Sequence, residues 1–236
     1  MQEERHAYNA SLRVNPEGGY VERYVSSGRD ILFYELIDGK RRGTHVCVPN
    51  FGPDETGQLA QHGFGRAITW QAEQSDDESV LLTYRHVKDD AWKGLFLSLE
   101  YRLFAGGLCM MLECRNESLQ AQRIAPGFHP YFKVCENNTR LNVESESFDI
   151  ALLGETQYRN YGDHSVKILI GSQQLTIQSR QLPLYALWSA HADKYVCIEP
   201  TLGGNRFLAL ARSDEWLASG ETRIFECTIQ TSSTGE

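Results

Sequence analysis

The chain has 236 residues, of which 41 % are hydrophobic and 23 % are charged, so a packed core is expected and intrinsic disorder is excluded. Its 31 acidic and 23 basic residues give a formal net charge of −8, which argues against binding to nucleic acid or to an anionic membrane. The sequence has no apolar signal region after Met1 and no long uncharged apolar stretch. We therefore expect a cytoplasmic protein with neither a nucleic-acid nor a membrane partner.

Six cysteines are spread mostly through apolar runs, and none forms a C-x-x-C pair. In a chain of this size without an export signal, reduced and buried thiols are expected rather than disulfides. The six are Cys47, Cys109, Cys114, Cys135, Cys197 and Cys227.

The first predicted elements, in chain order, are a strand and a short helix. Residues 30–37 are predicted to form a strand that leads into a two-residue hairpin turn at Asp38-Gly39. Residues 54–61 are predicted to form one short helix with Asp54 as its N-cap.

The rest of the chain is predicted to consist of strands. Apolar residues alternate with mixed neighbours over 95–103, which predicts a long strand, and 105–107 turn the chain into a return strand over 108–114. Further strands are predicted at 167–170, 175–178, 186–190, 195–198, 207–211 and 223–231. Many short strands with glycine-rich turns indicate an all-β sandwich or barrel, which we expect to be one domain spanning 1–236.

His129 is the first candidate for chemistry. Pro126 before it and Pro130 directly after it restrict the backbone, so His129 is expected to be extended between Phe128 and Tyr131. A rigid histidine in an aromatic surround suits a general acid, because its position is defined and its ordinary pKa lies near neutrality. The alternative is a core histidine that is hydrogen-bonded to a backbone carbonyl.

His62 and Arg66 form a second candidate group. Gly63 follows His62 and permits an unusual backbone and the close approach of a ligand. Arg66 lies four residues before Trp70, and such a pair can grip a sugar or phosphate with forked donors while the indole stacks. The alternative is a surface loop with an arginine stacked on an exposed aromatic ring.

Glu199 follows an apolar strand and precedes Pro200, so it lies at a strand end. Burial there would raise its pKa and make it a candidate general base, whereas the alternative is a salt-bridge partner for an arginine. Trp188 is either a core residue or a platform for a sugar. No metal site and no cofactor are predicted, because the sequence holds no H-x-x-x-H motif, cysteine cluster, P-loop or dinucleotide fingerprint.

Taken together, these motifs resemble those of a known family. H-G-F-G-R at 62–66, H-P-Y-F at 129–132 and C-I-E-P at 197–200 resemble, in order and spacing, the aldose 1-epimerase (galactose mutarotase-like) superfamily. The stretch R-G-T-H-V-C-V-P-N-F-G-P at 42–53 is similar to one in the hexose-6-phosphate 1-epimerase branch. The resemblance implies a large antiparallel β-sandwich with a sugar site in a concave face.

The resemblance also implies a reaction and a role for each matching residue. Glu199 would remove the proton of the C1 hydroxyl of a cyclic aldose, and His129 would protonate the ring oxygen, so that the ring opens. Rotation about C1–C2 and reclosure would give the other anomer. His62 would bind and polarise the substrate, Arg66 would hold a hydroxyl or phosphate, and Arg42 resembles an arginine of phosphosugar epimerases. Neither a metal nor a cofactor is implied.

Two departures from the family pattern bear on the substrate. The segment between Phe132 and Trp188 looks shortened, and it should supply an aspartate that contacts sugar hydroxyls, for which Asp149 and Asp163 are the candidates. His45 stands where the family has an apolar residue, and it is expected either to enter the pocket or to block part of it.

Two functions from different classes remain open. The first is an isomerase acting on an aldohexose or hexose-6-phosphate, and the second is a non-catalytic carbohydrate-binding or regulatory protein on the same scaffold. Retention of an acid and a base favours the isomerase. The sequence predicts neither the physiological sugar nor the oligomeric state.

Overall fold

The computed structural model describes residues 2–53, 59–134, 140–208 and 211–231. Its regular structure is almost all β, and every pairing between the strands in these ranges is antiparallel, which confirms the predicted fold class. Three short 3₁₀ helices interrupt the strands at Ile150–Leu152, Gly204–Leu208 and Ser213–Glu215. No helix in the described part of the chain is long and apolar enough to cross a membrane.

The strands are numbered in chain order. The first twelve are β1 (Glu3–Ala7), β2 (Ala10–Asn15), β3 (Tyr20–Ser26), β4 (Arg29–Asp30), β5 (Tyr34–Ile37), β6 (Lys40–Gly43), β7 (His45–Cys47), β8 (Gln71–Glu73), β9 (Ser79–Arg85), β10 (Leu95–Phe104), β11 (Gly107–Asn116) and β12 (Gln122–Arg123). The others are β13 (Gly127–His129), β14 (Tyr131–Lys133), β15 (Arg140–Val143), β16 (Glu146–Asp149), β17 (Gln157–Asn160), β18 (Val166–Ile170), β19 (Gln173–Arg180), β20 (Leu184–Trp188), β21 (Tyr195–Thr201), β22 (Trp216–Leu217) and β23 (Thr222–Thr231).

A nine-stranded sheet forms one wall of the sandwich, in the order β16-β15-β18-β19-β23-β11-β10-β9-β8. Its centre is the β10–β11 hairpin predicted from the alternating apolar residues, and the side chains of Leu95, Leu97 and Leu99 are fully buried. Full burial of one such leucine contributes about 1.5–3 kcal/mol, so a strand with this period of two is fixed in register by its apolar face. The predicted β18–β19 hairpin and the strand β23 belong to the same sheet.

A six-stranded sheet forms the second wall, in the order β17-β20-β21-β13-β7 with β14 also paired to β21. Strand β21 is buried along its whole length. Val196 and Ile198 belong to the main core cluster that also contains residues of the nine-stranded sheet. Because successive side chains of a strand point to opposite faces, Cys197 and Glu199 face away from that core.

Three smaller sheets complete the described strands, and one of them is the two-stranded pair of β12 and β22. Strands β1 to β4 form a four-stranded sheet at the N-terminus, which the sequence patterns did not predict. Strands β5 and β6 form a separate two-stranded hairpin. Its turn is the predicted Asp38-Gly39, and both residues have positive φ, 51° and 72°, as a tight two-residue hairpin turn requires.

Three predicted elements differ in the structure. The strand over 30–37 is wrong as one unit, because the chain changes partner before β5 begins. The Ile31 N–H donates to the Tyr24 carbonyl of β3, whereas the Ile31 carbonyl and the Phe33 N–H bond to β14. The strand over 207–211 is also wrong, because Phe207 lies in a 3₁₀ helix and 209–210 lie outside the described residues. The helix over 54–61 falls mainly on 54–58, which lie outside the described residues, and Leu59 is not helical.

The thiol prediction is confirmed for the cysteines that the structure describes. Cys47, Cys114, Cys197 and Cys227 are free and buried, whereas Cys109 is free and half-buried. Cys135 lies outside the described residues.

Candidate active site

A cavity of about 590 Å³ lies on the face of the six-stranded sheet that points away from the main core. The predicted residues His62, His129 and Glu199 line it, as do Arg42, Arg66 and Trp188, whereas Asp149, Asp163 and Trp70 do not. The lining residues are Tyr20, Lys40, Arg41, Arg42, Phe51, Gln61, His62, Arg66, His129, Tyr131, Thr156, Tyr158, Ala186, Trp188 and Glu199.

Strand register brings His129 and Glu199 together. Strands β13 and β14 lie end to end beside β21, and Tyr131 is paired with Cys197. In an antiparallel pair this register places His129 opposite Glu199 on the same face. The His129 Nε2 and Glu199 Oε2 atoms are 3.2 Å apart, and both side chains are almost fully buried.

Burial sets the protonation of this pair. It raises the pKa of Glu199 well above its usual range. It also lowers the pKa of His129 well below its usual value, with smaller contributions from His45, His62 and Arg66. Both shifts have the same cause, because a charged group loses hydration when it is buried. The pair therefore favours one shared proton and no net charge, and Oε2 of Glu199 has no well-aligned hydrogen bond within the described residues.

Two neighbouring rings, His45 and Tyr131, pack against the ring of His129. Their own centroids are 6.3 Å apart, so they lie on adjacent sides of His129 and not on its two opposite faces. The rings of His45 and His129 are stacked with centroids 4.8 Å apart, and those of His129 and Tyr131 are stacked with centroids 4.7 Å apart. His45 is buried, does not line the cavity, and donates a 2.8 Å hydrogen bond from Nδ1 to the Gly43 carbonyl. His45 therefore neither enters nor blocks the cavity, contrary to both expectations, and instead lies behind His129.

His62 is held in a tight turn beside this stack. It has a positive φ of 68°, and a Cβ atom at the following residue, Gly63, would lie 2.2 Å from the Val48 carbonyl oxygen. Glycine is therefore required at that position. The His62 ring packs edge-on against His129 at 4.9 Å, and its Nδ1 lies 3.3 Å from the Cys47 sulfur. Burial, with a smaller effect of the Arg66 charge, lowers the pKa of His62 to about 3, so it is neutral at physiological pH.

Four cationic side chains and one carboxylate, Glu199, line the cavity. Arg41 is paired with Glu17 at 3.2 Å, and Arg66 donates a 3.1 Å hydrogen bond to the Gln61 carbonyl. Arg42 has no ion pair with any described residue, and its Nε atom is buried without a hydrogen-bond partner. A guanidinium in that state offers forked donors to an anionic ligand. The fourth cation is Lys40.

The structure places the predicted tryptophans and aspartates in different positions relative to the cavity. Trp188 is half-buried, lines the cavity and packs edge-on against His129 at 6.2 Å. Asp163 does not line this cavity, contrary to the expectation. It lines a separate surface pocket and accepts a hydrogen bond from the Gln181 backbone N–H. Asp149 caps a 3₁₀ helix and does not line the cavity either. Trp70 is buried in the core, so it cannot stack on a ligand beside Arg66.

The lining residues that the sequence did not predict include two at the start of β17. Thr156 and Tyr158 line the cavity from the start of β17, next to β20. That strand reads Q-Y-R-N and has no apolar alternation, so no periodic signal marked it. Burial raises the pKa of Tyr158 to about 12, so its hydroxyl stays protonated and can donate to a ligand.

Comparisons with known proteins agree with this fold and with the motifs. The aldose 1-epimerase family profile matches residues 37–164, more than half of the chain, a range that includes His62 and His129 but not Glu199. No curated protein sequence matches the chain.

Several solved structures resemble this one at low sequence identity, which indicates a shared fold. A galactose mutarotase related enzyme from Lactobacillus acidophilus superimposes with a TM-score of 0.82 at 16 % identity, over 100 % of this chain and 99 % of that one. A galactose mutarotase-like protein from Lactobacillus casei gives 0.82 at 16 % identity, over 98 % and 100 %. Another from Clostridium acetobutylicum gives 0.75 at 16 % identity, over 99 % and 99 %.

The alignments with these structures span nearly the whole of both chains. The expectation of a shortened segment between Phe132 and Trp188 stays a prediction. The sandwich, the order of the motifs around the cavity and the match over 37–164 lead to one conclusion. The chain belongs to the aldose 1-epimerase family.

Proposed function

We propose that this protein is a mutarotase that interconverts the α and β anomers of an aldohexose, with Glu199 as the general base and His129 as the general acid. The observation that carries the proposal is the buried pair at 3.2 Å on the floor of a cavity large enough for a hexose. Mutarotation requires only that one proton leaves the C1 hydroxyl and one reaches the ring oxygen. A single acid–base pair accomplishes both transfers.

The proposed mechanism uses the proton that Glu199 and His129 share. When a sugar enters, its C1 hydroxyl donates to Glu199, which favours the carboxylate and moves the shared proton to His129. His129 then protonates the ring oxygen while Glu199 takes the C1 proton, so the ring opens to the aldehyde. After rotation about C1–C2 the same two transfers run in reverse and close the ring. The pair holds one proton at the start and at the end, so no other proton source is consumed.

The neighbouring residues have supporting roles. His62 is neutral, so one of its ring nitrogens can donate to the substrate while the other faces Cys47. Trp188 offers a flat apolar surface on which a sugar ring can stack. Tyr158 can donate to a hydroxyl, the part expected of an aspartate such as Asp163.

We further propose that the preferred sugar carries an anionic group, as in the hexose-6-phosphate branch. The uncompensated Arg42 and the hydrogen-bonded Arg66 support this proposal, because forked guanidinium donors suit a phosphate. We also propose that 1–236 form one domain that works in the cytoplasm without a cofactor, where its thiols stay reduced. Activity that persists in a chelator would support the absence of a metal cofactor.

One observation favours the alternative, a non-catalytic sugar-binding protein. The predicted aspartate, Asp163, is outside the cavity, so a contact expected of the family is missing. Anomer exchange measured by NMR magnetisation transfer decides between the two, with glucose, galactose and glucose-6-phosphate as substrates. Exchange faster than the buffer background supports the mutarotase. Binding of a sugar without acceleration would support the alternative.

Arg42→Ala tests the anionic substrate. We expect KM for glucose-6-phosphate to rise by about ten- to a hundredfold, because a charge-assisted hydrogen bond contributes about 1.5–3 kcal/mol. KM for free glucose should change little. Steady-state anomer exchange measures both, and Arg29→Ala, an exposed arginine outside the cavity, is the matched control. An equal rise for both sugars would remove the argument for a phosphate.

His45→Ala tests whether the His45 ring positions His129. We expect kcat to fall by about ten- to a hundredfold with little change in KM, because the His129 ring loses its contact with the His45 ring and no substrate contact is removed. His45→Phe keeps an aromatic ring at that position and should restore most of kcat. The measurement is the full rate curve for all three proteins at equal thermal stability. If Phe restores no more activity than Ala, the stack does not position His129.

A further inference from the structure

The buried thiol of Cys197, which does not line the cavity, lies next to the two cavity residues His129 and Glu199. His129, Cys197 and Glu199 each offer one donor atom, and the three atoms lie within 4.8 Å of one another. All three side chains are buried. Cys197 and Glu199 are two residues apart on β21, and His129 comes from the adjacent strand, so the sheet rather than the sequence spacing assembles the group.

We propose that His129, Cys197 and Glu199 bind a soft divalent cation, with Zn²⁺ as the type case, when no sugar occupies the cavity, and that the bound cation inhibits the enzyme. The binding part stands on the three donor atoms alone. The inhibition part rests on the proposed mutarotase function, because a cation on Nε2 and the carboxylate leaves no place for the shared proton.

The three donor atoms are of the chemical types that Zn²⁺ binds. Zinc prefers imidazole nitrogen, thiolate sulfur and carboxylate oxygen, and sites with three protein ligands keep a fourth position for water or substrate. Here the fourth position would face the cavity. A hard cation such as Mg²⁺ prefers oxygen ligands and has only one carboxylate in this group.

The donor set also suits Zn²⁺ in geometry and charge. Tetrahedral zinc with bonds of 2.0–2.3 Å holds its donors about 3.3–3.6 Å apart, so side-chain shifts of about 1 Å bring all three into place. His129 Nε2 and Glu199 Oε2 are already 3.2 Å apart. The thiolate of Cys197 and the carboxylate of Glu199 neutralise the two charges of the cation, which a buried site requires. Binding must therefore release the thiol proton and the shared proton of the pair.

Isothermal titration calorimetry on the full chain, freed of metal with a chelator, tests the binding. We expect one Zn²⁺ per chain, no detectable heat with Mg²⁺, and proton release that makes binding tighter at higher pH. Co²⁺ in place of Zn²⁺ should give a thiolate-to-cobalt charge-transfer band. Cys197→Ser should abolish that band and weaken Zn²⁺ binding by about 100-fold or more.

Two further variants make the result specific. Cys109→Ser changes a half-buried thiol on the nine-stranded sheet and should bind Zn²⁺ as the wild type does. Glu199→Gln keeps the shape of the side chain and should weaken binding even if Cys197→Ser disturbs the fold, which circular dichroism would reveal. Equal affinity in the wild type, Cys197→Ser and Glu199→Gln would place the cation elsewhere and overturn the proposal.

Inhibition is measured as the decrease in the rate of anomer exchange when Zn²⁺ is added. The rate of each variant is divided by the rate of the same variant without metal. We expect Zn²⁺ to inhibit the wild type and Cys109→Ser at the concentration that saturates the calorimetric site, and sugar to raise that concentration. Full activity with the site saturated would overturn the inhibition. A protein that binds Zn²⁺ through Cys197 but never accelerates anomer exchange would refute the mutarotase function and leave the metal site intact.

Discussion

The Glu199→Gln variant is expected to lose almost all mutarotase activity, with kcat lower by about 10²- to 10⁴-fold. Glutamine fills the same volume opposite His129 but cannot take a proton from the C1 hydroxyl. It also removes the partner that shares the proton across 3.2 Å, so His129 loses the group that favours its charged form. Substrate binding should change much less than kcat, because the cations at the rim are untouched.

Anomer exchange under saturating sugar, with the buffer-catalysed rate subtracted, measures this loss. Glu113→Gln, a glutamate of β11 outside the cavity, is the matched control and should match the wild type. The pH profile adds a second test. Only the form with one proton on the pair is active, so the wild type should give a bell-shaped profile whose two limbs belong to the pair together. A near-normal rate in folded Glu199→Gln would refute the assigned base.

The sandwich could be predicted because its centre follows the simplest pattern. Apolar residues at every second position from Leu95 to Leu103, four leucines and Tyr101, bury one face of β10. Turn residues then set the hairpins, as Asp38-Gly39 does with two positive φ angles. Where burial is one-sided and the turn chemistry is strict, local sequence is enough to predict the strand and its neighbour.

Other elements could not be predicted because tertiary contacts decide them. Strand β17 has no apolar period, and its backbone pairs with β20. Its side chains are held by contacts with other elements, since Tyr158 packs against a small core cluster and Arg159 forms an ion pair with Glu146. The apolar residues before Tyr34 look like one strand, yet Ile31 bonds to Tyr24 and Phe33 bonds to Tyr131, which belong to different sheets. A run of apolar residues does not show that the backbone changes its hydrogen-bonding partner strand within three residues.

The site was predicted in part. The motifs named His62, His129 and Glu199, and the structure brings all three to one cavity. Two features beside these residues depend on how the strands are paired and how their side chains alternate, which the motifs do not specify. They are the stack of His45 behind His129, from the pairing of β7 with β13, and the thiol of Cys197 beside Glu199, from the alternation along β21.

Buried neutral histidines have a further consequence, a loss of stability in acid. Burial lowers the pKa of His62 from 6.5 to about 3, and it lowers that of His45 well below 6.5. In the unfolded chain both take up a proton near pH 6.5, so between pH 6.5 and pH 3 the unfolded state binds more protons than the folded state. Stability is therefore complete above pH 6.5 and falls as the pH falls towards 3. The raised pKa of Glu199 acts on stability in the opposite direction to the lowered pKa of His129.

The expected loss of stability is a substantial fraction of the total stability of a domain, which is about 5–15 kcal/mol. Between pH 6.5 and pH 4.5, His62 alone should cost about 2 kcal/mol of unfolding free energy. Urea unfolding at the two pH values measures this loss, and His62→Gln should reduce the difference by about that amount because glutamine does not titrate. His6→Gln, which changes an exposed histidine on β1, should keep the wild-type difference. If His62→Gln and His6→Gln lose the same stability in acid, His62 is not held neutral by burial and its proposed role as an uncharged donor to the sugar fails with it.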